Sequence, residues 1–157
     1  MTPAIRRATL EDVAALVDLR LAFLQEMEPI EDAAELEIQQ QAVRRYFTEK
    51  LADGDLLAWV AEAEGELVAT GAAILMPKPP TQMNLSGLEG FVFNMYTVPA
   101  WRGKGLGTRL LDEIINYIKG TEARRIWLYA SEMGEPVYAR AGFTIKTRRR
   151  PEMELIW

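Results

Sequence analysis

The sequence contains no cysteine and no histidine. Without cysteine there can be no disulfide, no thiol nucleophile and no thiolate metal site. Without histidine the commonest general base and the commonest zinc ligand are missing, and every Ser-His or Cys-His device goes with them. Proton transfer must therefore run through Tyr, Asp, Glu, Lys or water. Long hydrophobic runs are absent too, since none approaches the roughly 18 residues of a membrane span. Met1-Thr2-Pro3-Ala4-Ile5-Arg6-Arg7 has no signal-peptide apolar core. The expectation is a cytoplasmic chain with no membrane partner.

What is present suits a globular protein. The 157 residues suffice for a single domain, 1–157, whose core needs no metal or disulfide. Net charge is −5 but uneven: residues 1–98 carry −9, residues 99–150 carry +6, and the last seven carry −2. A negative whole argues against a nucleic-acid partner, which needs clustered cations. The basic second half suits a small phosphorylated ligand, or it merely solvates helices.

Apolar periodicity divides the chain into strands and helices. Ala4–Ala8 reads as a strand. Thr9-Leu10-Glu11-Asp12 reads as a helix cap, leading into a helix with Val13, Leu16, Val17 and Leu24 inward that runs to about Met27. A second helix spans about Glu31–Ala52. Leu56–Ala63 and Leu67–Met76 form a hairpin, followed by a proline-rich loop, Pro77 to Gly87, expected to be mobile. Leu88–Val98 is a strand and Leu106–Ile118 an amphipathic helix closed by Gly120. Arg124–Ala130 is a strand, Met133–Ala141 a short helix, and Phe143–Lys146 and Met153–Trp157 are final strands. Arg148-Arg149-Arg150 reads as a solvated edge that discourages strand pairing.

Between the strand Phe91–Val98 and its following helix lies Arg102-Gly103-Lys104-Gly105-Leu106-Gly107-Thr108. Three glycines let the backbone bend tightly and aim several N–H groups at one point, at the positive end of a helix dipole. That is a recipe for holding phosphate. The loop lacks the span of a Walker A motif, and it reads Gly-x-Gly-x-Gly rather than the dinucleotide Gly-x-Gly-x-x-Gly. A dinucleotide site also wants an acidic residue at the end of the next strand, which ends Tyr129-Ala130-Ser131.

The loop does fit Arg/Gln-x-x-Gly-x-Gly/Ala through Arg102, Gly105 and Gly107, and so resembles the pyrophosphate loop of the GNAT acetyltransferases. Met95-Tyr96-Thr97-Val98-Pro99 is similar to the Leu-Tyr-Val-x-Pro that precedes that loop in the family. Tyr138-Ala139-Arg140-Ala141-Gly142-Phe143 resembles its Tyr-x-x-x-Gly-Phe, and Ser131 stands where a Ser or Asn often does. The resemblance implies a mixed α/β fold with a mostly antiparallel sheet of six or seven strands and about four helices. It implies acetyl-CoA as cosubstrate, without metal, and acetyl transfer to a primary amine by direct attack in a ternary complex. The acceptor class expected is a small molecule. A protein N-terminus or lysine, or a non-catalytic acyl-CoA sensor, are the competing readings, and a homodimer is left open.

By the same resemblance, N–H groups from Arg102, Gly103, Lys104, Gly105, Leu106, Gly107 and Thr108 surround the pyrophosphate, assisted by the charge of Arg102 or Lys104. Backbone groups of Met95, Tyr96, Thr97 and Val98 pair with pantetheine, and the Met95 N–H faces the thioester carbonyl. Tyr138 protonates the departing thiolate, unless its ring is simply core. Several family members carry a glutamate eleven residues before the loop's Arg/Gln. That position is Phe91 here, so Glu89 is the candidate base, acting through water, or else a solvated carboxylate. Glu26, Glu28, Glu31, Asp32 and Glu35 flank the first helix break, where they either solvate a helix or attract a cationic amine.

Overall fold

The computed structural model describes residues 2–147 and 150–157. Its sheet runs β1 (Ala4–Arg7), β2 (Leu56–Ala63), β3 (Glu66–Pro77), β4 (Leu88–Thr97) and β5 (Arg125–Trp127), each strand beside the next. The first four pair antiparallel, while β4 and β5 are parallel. The α-helices among the described residues are α1 (Val13–Met27), α2 (Ala33–Asp53), α3 (Leu106–Lys119) and α4 (Glu135–Arg140). None is long and apolar enough to cross a membrane.

Two cores form because β2 alternates its side chains between two covered faces. On one face, α1 and α2 press Val13, Leu16, Val17 and Phe47 against Leu56, Ala58, Val60 and Ala72. On the other, α3 presses Leu106, Leu110, Leu111, Ile114 and Ile118 against Leu57, Trp59, Ala61, Ala73 and Val92. The spacing of those five residues puts them on one side of a 3.6-residue helix. Burying each contributes roughly 1.5–3 kcal/mol. α3 is thus the main brace behind β4, and the glycine loop is tied to its first turn.

Local signals account for the element ends. Glu64 and Gly65 both have positive φ (54° and 81°), the combination that closes a two-residue hairpin. Asp32 caps α2 by accepting from the N–H groups of Ala34 and Glu35 at 2.9 Å. The Thr9–Asp12 segment is a short 3-10 turn ahead of α1, and Asp12 accepts the Thr9 N–H at 2.7 Å. The same carboxylate takes both terminal nitrogens of Arg6 at 2.8 Å, while Arg6 Nε donates to Glu62 at 3.0 Å. One side chain of β1 therefore ties the start of α1 to β2.

Among the described residues the sheet has five strands, not six or seven. Among the described residues, neither 143–146 nor 153–157 forms a strand. Ile145, Met153, Leu155 and Trp157 are exposed at 83%, 89%, 82% and 103%. The apolar alternation is there, but strand preference is mostly packing against a neighbour. β5 stops after three residues and offers little edge to pair with. The Arg148-Arg149-Arg150 edge falls largely on 148 and 149, outside the described residues. The loop expected to be mobile is closed by hydrogen bonds, from Lys78 N–H to Gly87 O at 2.8 Å and from Ser86 Oγ to Glu122 O at 2.7 Å.

The Arg6 guanidinium, more than any other group, holds the buried Asp12 carboxyl below its ordinary pKa. Asp12 therefore stabilises the fold in full above the usual carboxylate range, and that contribution is lost as pH falls through the lowered folded value. Asp12→Asn should cost roughly 1–3 kcal/mol at neutral pH and flatten the acid limb of stability against pH. Urea titrations at pH 7 and in acid check both effects.

Candidate functional site

The pairing of β4 with β5 ends early. Only Glu89, Gly90 and Phe91 face partners, namely Arg125, Ile126 and Trp127. β4 runs on to Thr97, while the other chain continues past Trp127 without forming a strand. Residues 92–97 thus turn an edge of N–H and C=O groups toward a gap. Such groups need partners when they lie away from water. A ligand with peptide-like amides can supply them as a substitute strand.

Within this edge the strand is bulged. Ala72 faces Phe93 and Thr70 faces Tyr96, so Gly71 alone stands opposite Asn94 and Met95. Asn94 takes φ +54°, a left-handed conformation that asparagine tolerates better than most residues. Gly71 makes the bulge affordable sterically, since a Cβ there would lie 2.5 Å from Met95 Sδ. The Met95 side chain packs against the α3 core, so only its backbone is left to face the gap.

The glycine loop follows directly. Gly103 and Gly105 have φ +73° and +78°, and Gly105 sits at the N-cap of α3. Leu106 is buried in the core and anchors the turn. The first N–H groups of α3, including those of Gly107 and Thr108, have no intrahelical acceptor and carry the helix's partial positive charge. A Cβ built at Gly103, Gly105 or Gly107 meets no protein atom within 4 Å. The loop therefore faces open space, as an anion site must.

The cations expected to assist here are already engaged. Arg102 donates from Nε to Thr97 O at 2.9 Å and from Nη2 to both Glu26 oxygens at 2.8 Å. Tyr96 Oη donates to Glu26 Oε1 at 2.8 Å, so one carboxylate from the last turn of α1 joins the strand to the loop. Arg102, then Tyr96, hold the Glu26 carboxyl below its ordinary pKa; burial and this bond push the Tyr96 phenol up. Lys104 lies over the Trp101 ring at 4.3 Å, and Arg109 donates to Pro3 O at 3.1 Å. Val98 N–H is bound to Val68 O at 3.0 Å, which leaves it no donor for a ligand.

Tyr138 and Ser131 are brought together around Gly134, whose hypothetical Cβ would lie 2.7 Å from the Tyr138 ring and 3.1 Å from Ser131 Oγ. Ser131 Oγ accepts the Gly134 N–H at 3.1 Å, turning the chain into α4. The Tyr138 ring is buried against Phe143, and burial raises its pKa, so the phenol stays protonated at neutral pH. Its hydroxyl bonds to no described residue. Glu89 stands apart, at the start of β4, with Lys78 Nζ at 2.8 Å and Arg125 Nη1 at 3.1 Å. Burial pushes its pKa up, but the two cations outweigh this and keep it below the ordinary value. It is six residues, or about 20 Å, along the strand from Met95.

Sequence reasoning missed Asn94, Gly71 and the role of Glu26. The polar Asn94 inside Phe91-Val92-Phe93-Asn94-Met95-Tyr96 was the available signal for a bulge. No local signal marks Glu26, whose partner Arg102 is far along the chain. A separate cleft of about 500 Å³, lined by Tyr46, Lys50, Leu57, Ile74, Leu75 and Tyr117, opens at the opposite end of the sheet from the loop.

The clasp gives a direct test. Arg102→Lys cannot keep the bonds to Thr97 O and Glu26 together. A double-mutant cycle with Glu26→Gln should return a coupling of roughly 0.5–1 kcal/mol in chemical denaturation. Full additivity would mean the pair does not form in solution.

The sequence model described as "Acetyltransferase (GNAT) family" matches residues 17–143. The chain is 29% identical over 134 residues to glucosamine 6-phosphate N-acetyltransferase 1 of Oryza sativa subsp. japonica, covering 83% of this chain and 78% of that protein. It is similar to a crystal structure of a predicted acetyltransferase with acetyl-CoA from Clostridium acetobutylicum, with TM-score 0.84, 36% identity and coverage of 97% and 96%. A GCN5-related N-acetyltransferase from Ralstonia eutropha JMP134 gives TM-score 0.82 and 27% identity, covering 96% and 98%.

Proposed function

The chain belongs to the acetyltransferase (GNAT) family, and from that premise we propose that it moves an acetyl group from acetyl-CoA to the primary amine of a small molecule. The observation that carries the reading is the open edge of β4 running into a glycine loop at the head of α3. The edge suits a pantetheine arm and the loop a pyrophosphate, and the Clostridium structure, similar in fold, holds acetyl-CoA. The rice relative is named for a small phosphorylated amino sugar, which is a small-molecule amine.

In this reading the amine nitrogen attacks the thioester carbonyl carbon directly. The C–N bond forms, the C–S bond breaks, and the Met95 N–H steadies the developing oxyanion. Coenzyme A leaves as a thiolate and takes a proton from Tyr138, which burial keeps protonated. No covalent acyl-enzyme is involved, as the chain has neither cysteine nor a histidine to activate serine. The amine loses its proton to water. Glu89, ion-paired and held ionised by Lys78 and Arg125, is a weak base remote from Met95 and has no part in this step.

A coupled thiol-release assay with acetyl-CoA over a panel of amines tests the reading, and calorimetry that finds no acetyl-CoA binding would overturn it. A Cβ at Gly107 meets no protein atom within 4 Å, and Gly107→Gln extends bulk from that open position. Stability should stay within about 1 kcal/mol, while the Kd for acetyl-CoA rises more than about 10-fold, because the added side chain meets only the ligand. Tyr138→Phe keeps the ring packing and removes the proton, so kcat should fall about 10²-fold or more with acetyl-CoA affinity nearly unchanged. An unmoved kcat assigns Tyr138 to the core alone.

A further inference from the structure

Arg20 lies in the inward stripe of α1, one turn beyond the fully buried Leu16 and Val17. A charged side chain at such a position is normally paired with a carboxylate. Arg6, Lys50, Lys78, Arg102 and Arg125 all have one, whereas Arg20 forms no ion pair with any described residue. It makes a single long hydrogen bond, from Nη1 to Asn94 Oδ1 at 3.5 Å, and lies 5.4 Å from the Phe23 ring. Asn94 Oδ1 is thus the one acceptor that the described residues offer this half-buried guanidinium, which carries five N–H donors. Burial pushes the Arg20 pKa down, opposed only by the Tyr46 hydroxyl of α2.

The place of this cation matters. Asn94 is the bulged residue next to Met95, where the proposed acetyl group would lie. On the opposite face, β4 is closed by α3, whose Leu111, Ile114 and Ile118 pack in one core with Val92 and Met95. The acceptor must therefore arrive on the α1 side. That side of β4 and β5 carries a partly open aromatic floor. Phe91 and Phe93 stack at 5.6 Å, Trp127 sits 4.4 Å from Phe91, and Tyr129 is 67% exposed beside them. In the same group Trp127 Nε1 is buried with no hydrogen-bond partner among the described residues.

We infer that Arg20 is an acceptor-binding residue: it pairs with an oxyanion, carboxylate or phosphate, on the amine that receives the acetyl group, over the floor of Phe91, Phe93 and Trp127. The substrate class is then an amine that also bears an acid. This inference rests on the acetyltransferase reading and narrows it.

The test compares matched amines with and without the acid, phenylalanine against phenylalaninamide and glucosamine 6-phosphate against glucosamine, in the thiol-release assay with acetyl-CoA. Wild type should favour the acid-bearing member of at least one pair by 10-fold or more in kcat/KM, and the pair that responds tells carboxylate from phosphate. Arg20→Met should erase that preference, mainly through KM, leaving the neutral member within a few-fold and acetyl-CoA binding by calorimetry unchanged. Arg20→Gln keeps a donor for Asn94 but drops the charge, and it should behave like Arg20→Met. A preference that survives in Arg20→Gln, or neutral amines used as well as acidic ones by wild type, overturns the inference and leaves the transferase reading standing. Acetyl-CoA binding with no amine acetylated overturns both.

Discussion

Everything at the site depends on where two parallel strands stop pairing. Beyond Phe91 and Trp127 the ladder between β4 and β5 is lost, although β4 continues to Thr97. An unpaired strand edge in a protein interior is costly unless something fills it. The strand survives because α3 braces it from behind with a row of buried leucines and isoleucines, and because β3 satisfies its other edge as far as Thr97. Gly71 and the left-handed Asn94 add a bulge at mid-edge, which re-aims the backbone at Met95. The gap is built into the topology, and the edge that borders it is already formed without a ligand.

Charge around the loop works differently from what a tally along the chain suggests. The second half of the sequence is basic, yet the arginine nearest the glycines is held by Glu26 from the acidic first half. Tyr96 shares the same carboxylate. What the loop offers an anion is therefore backbone N–H groups and the α3 dipole more than free cations. The Glu26 clasp serves to fix the end of α1 against the loop. That places Arg20, two turns earlier on α1, over the bulge of β4. One helix thus touches both the glycine loop and the bulge of β4.

Most of the fold up to Lys119 was legible because its elements carry strong local signals. The apolar run Leu56 to Ala63, the stripe of α3 and the Thr9–Asp12 cap fix element ends within a few residues. The glycine loop was legible for a similar reason, since positive φ at Gly103 and Gly105 demands glycine. What could not be read is non-local. Strands at 143–146 and 153–157 fail for want of a neighbour, a fact absent from their own sequence. The bulge at Asn94 arises from pairing with Gly71, and the Glu26–Arg102 pair spans 76 residues. Arg20 was overlooked because only apolar residues were counted in the inward stripe, where a charge was the informative exception.

Amide hydrogen exchange, with and without acetyl-CoA, shows whether the open edge of β4 takes the cosubstrate. On binding, the Met95 amide and those of residues 105–108 should become strongly protected, because the ligand supplies acceptors that the fold leaves out. Val98, already bonded to Val68, should not change. Unaltered exchange at Met95 together with protection at the far cleft around Tyr46 and Tyr117 would contradict the account, placing the ligand away from the open edge of β4.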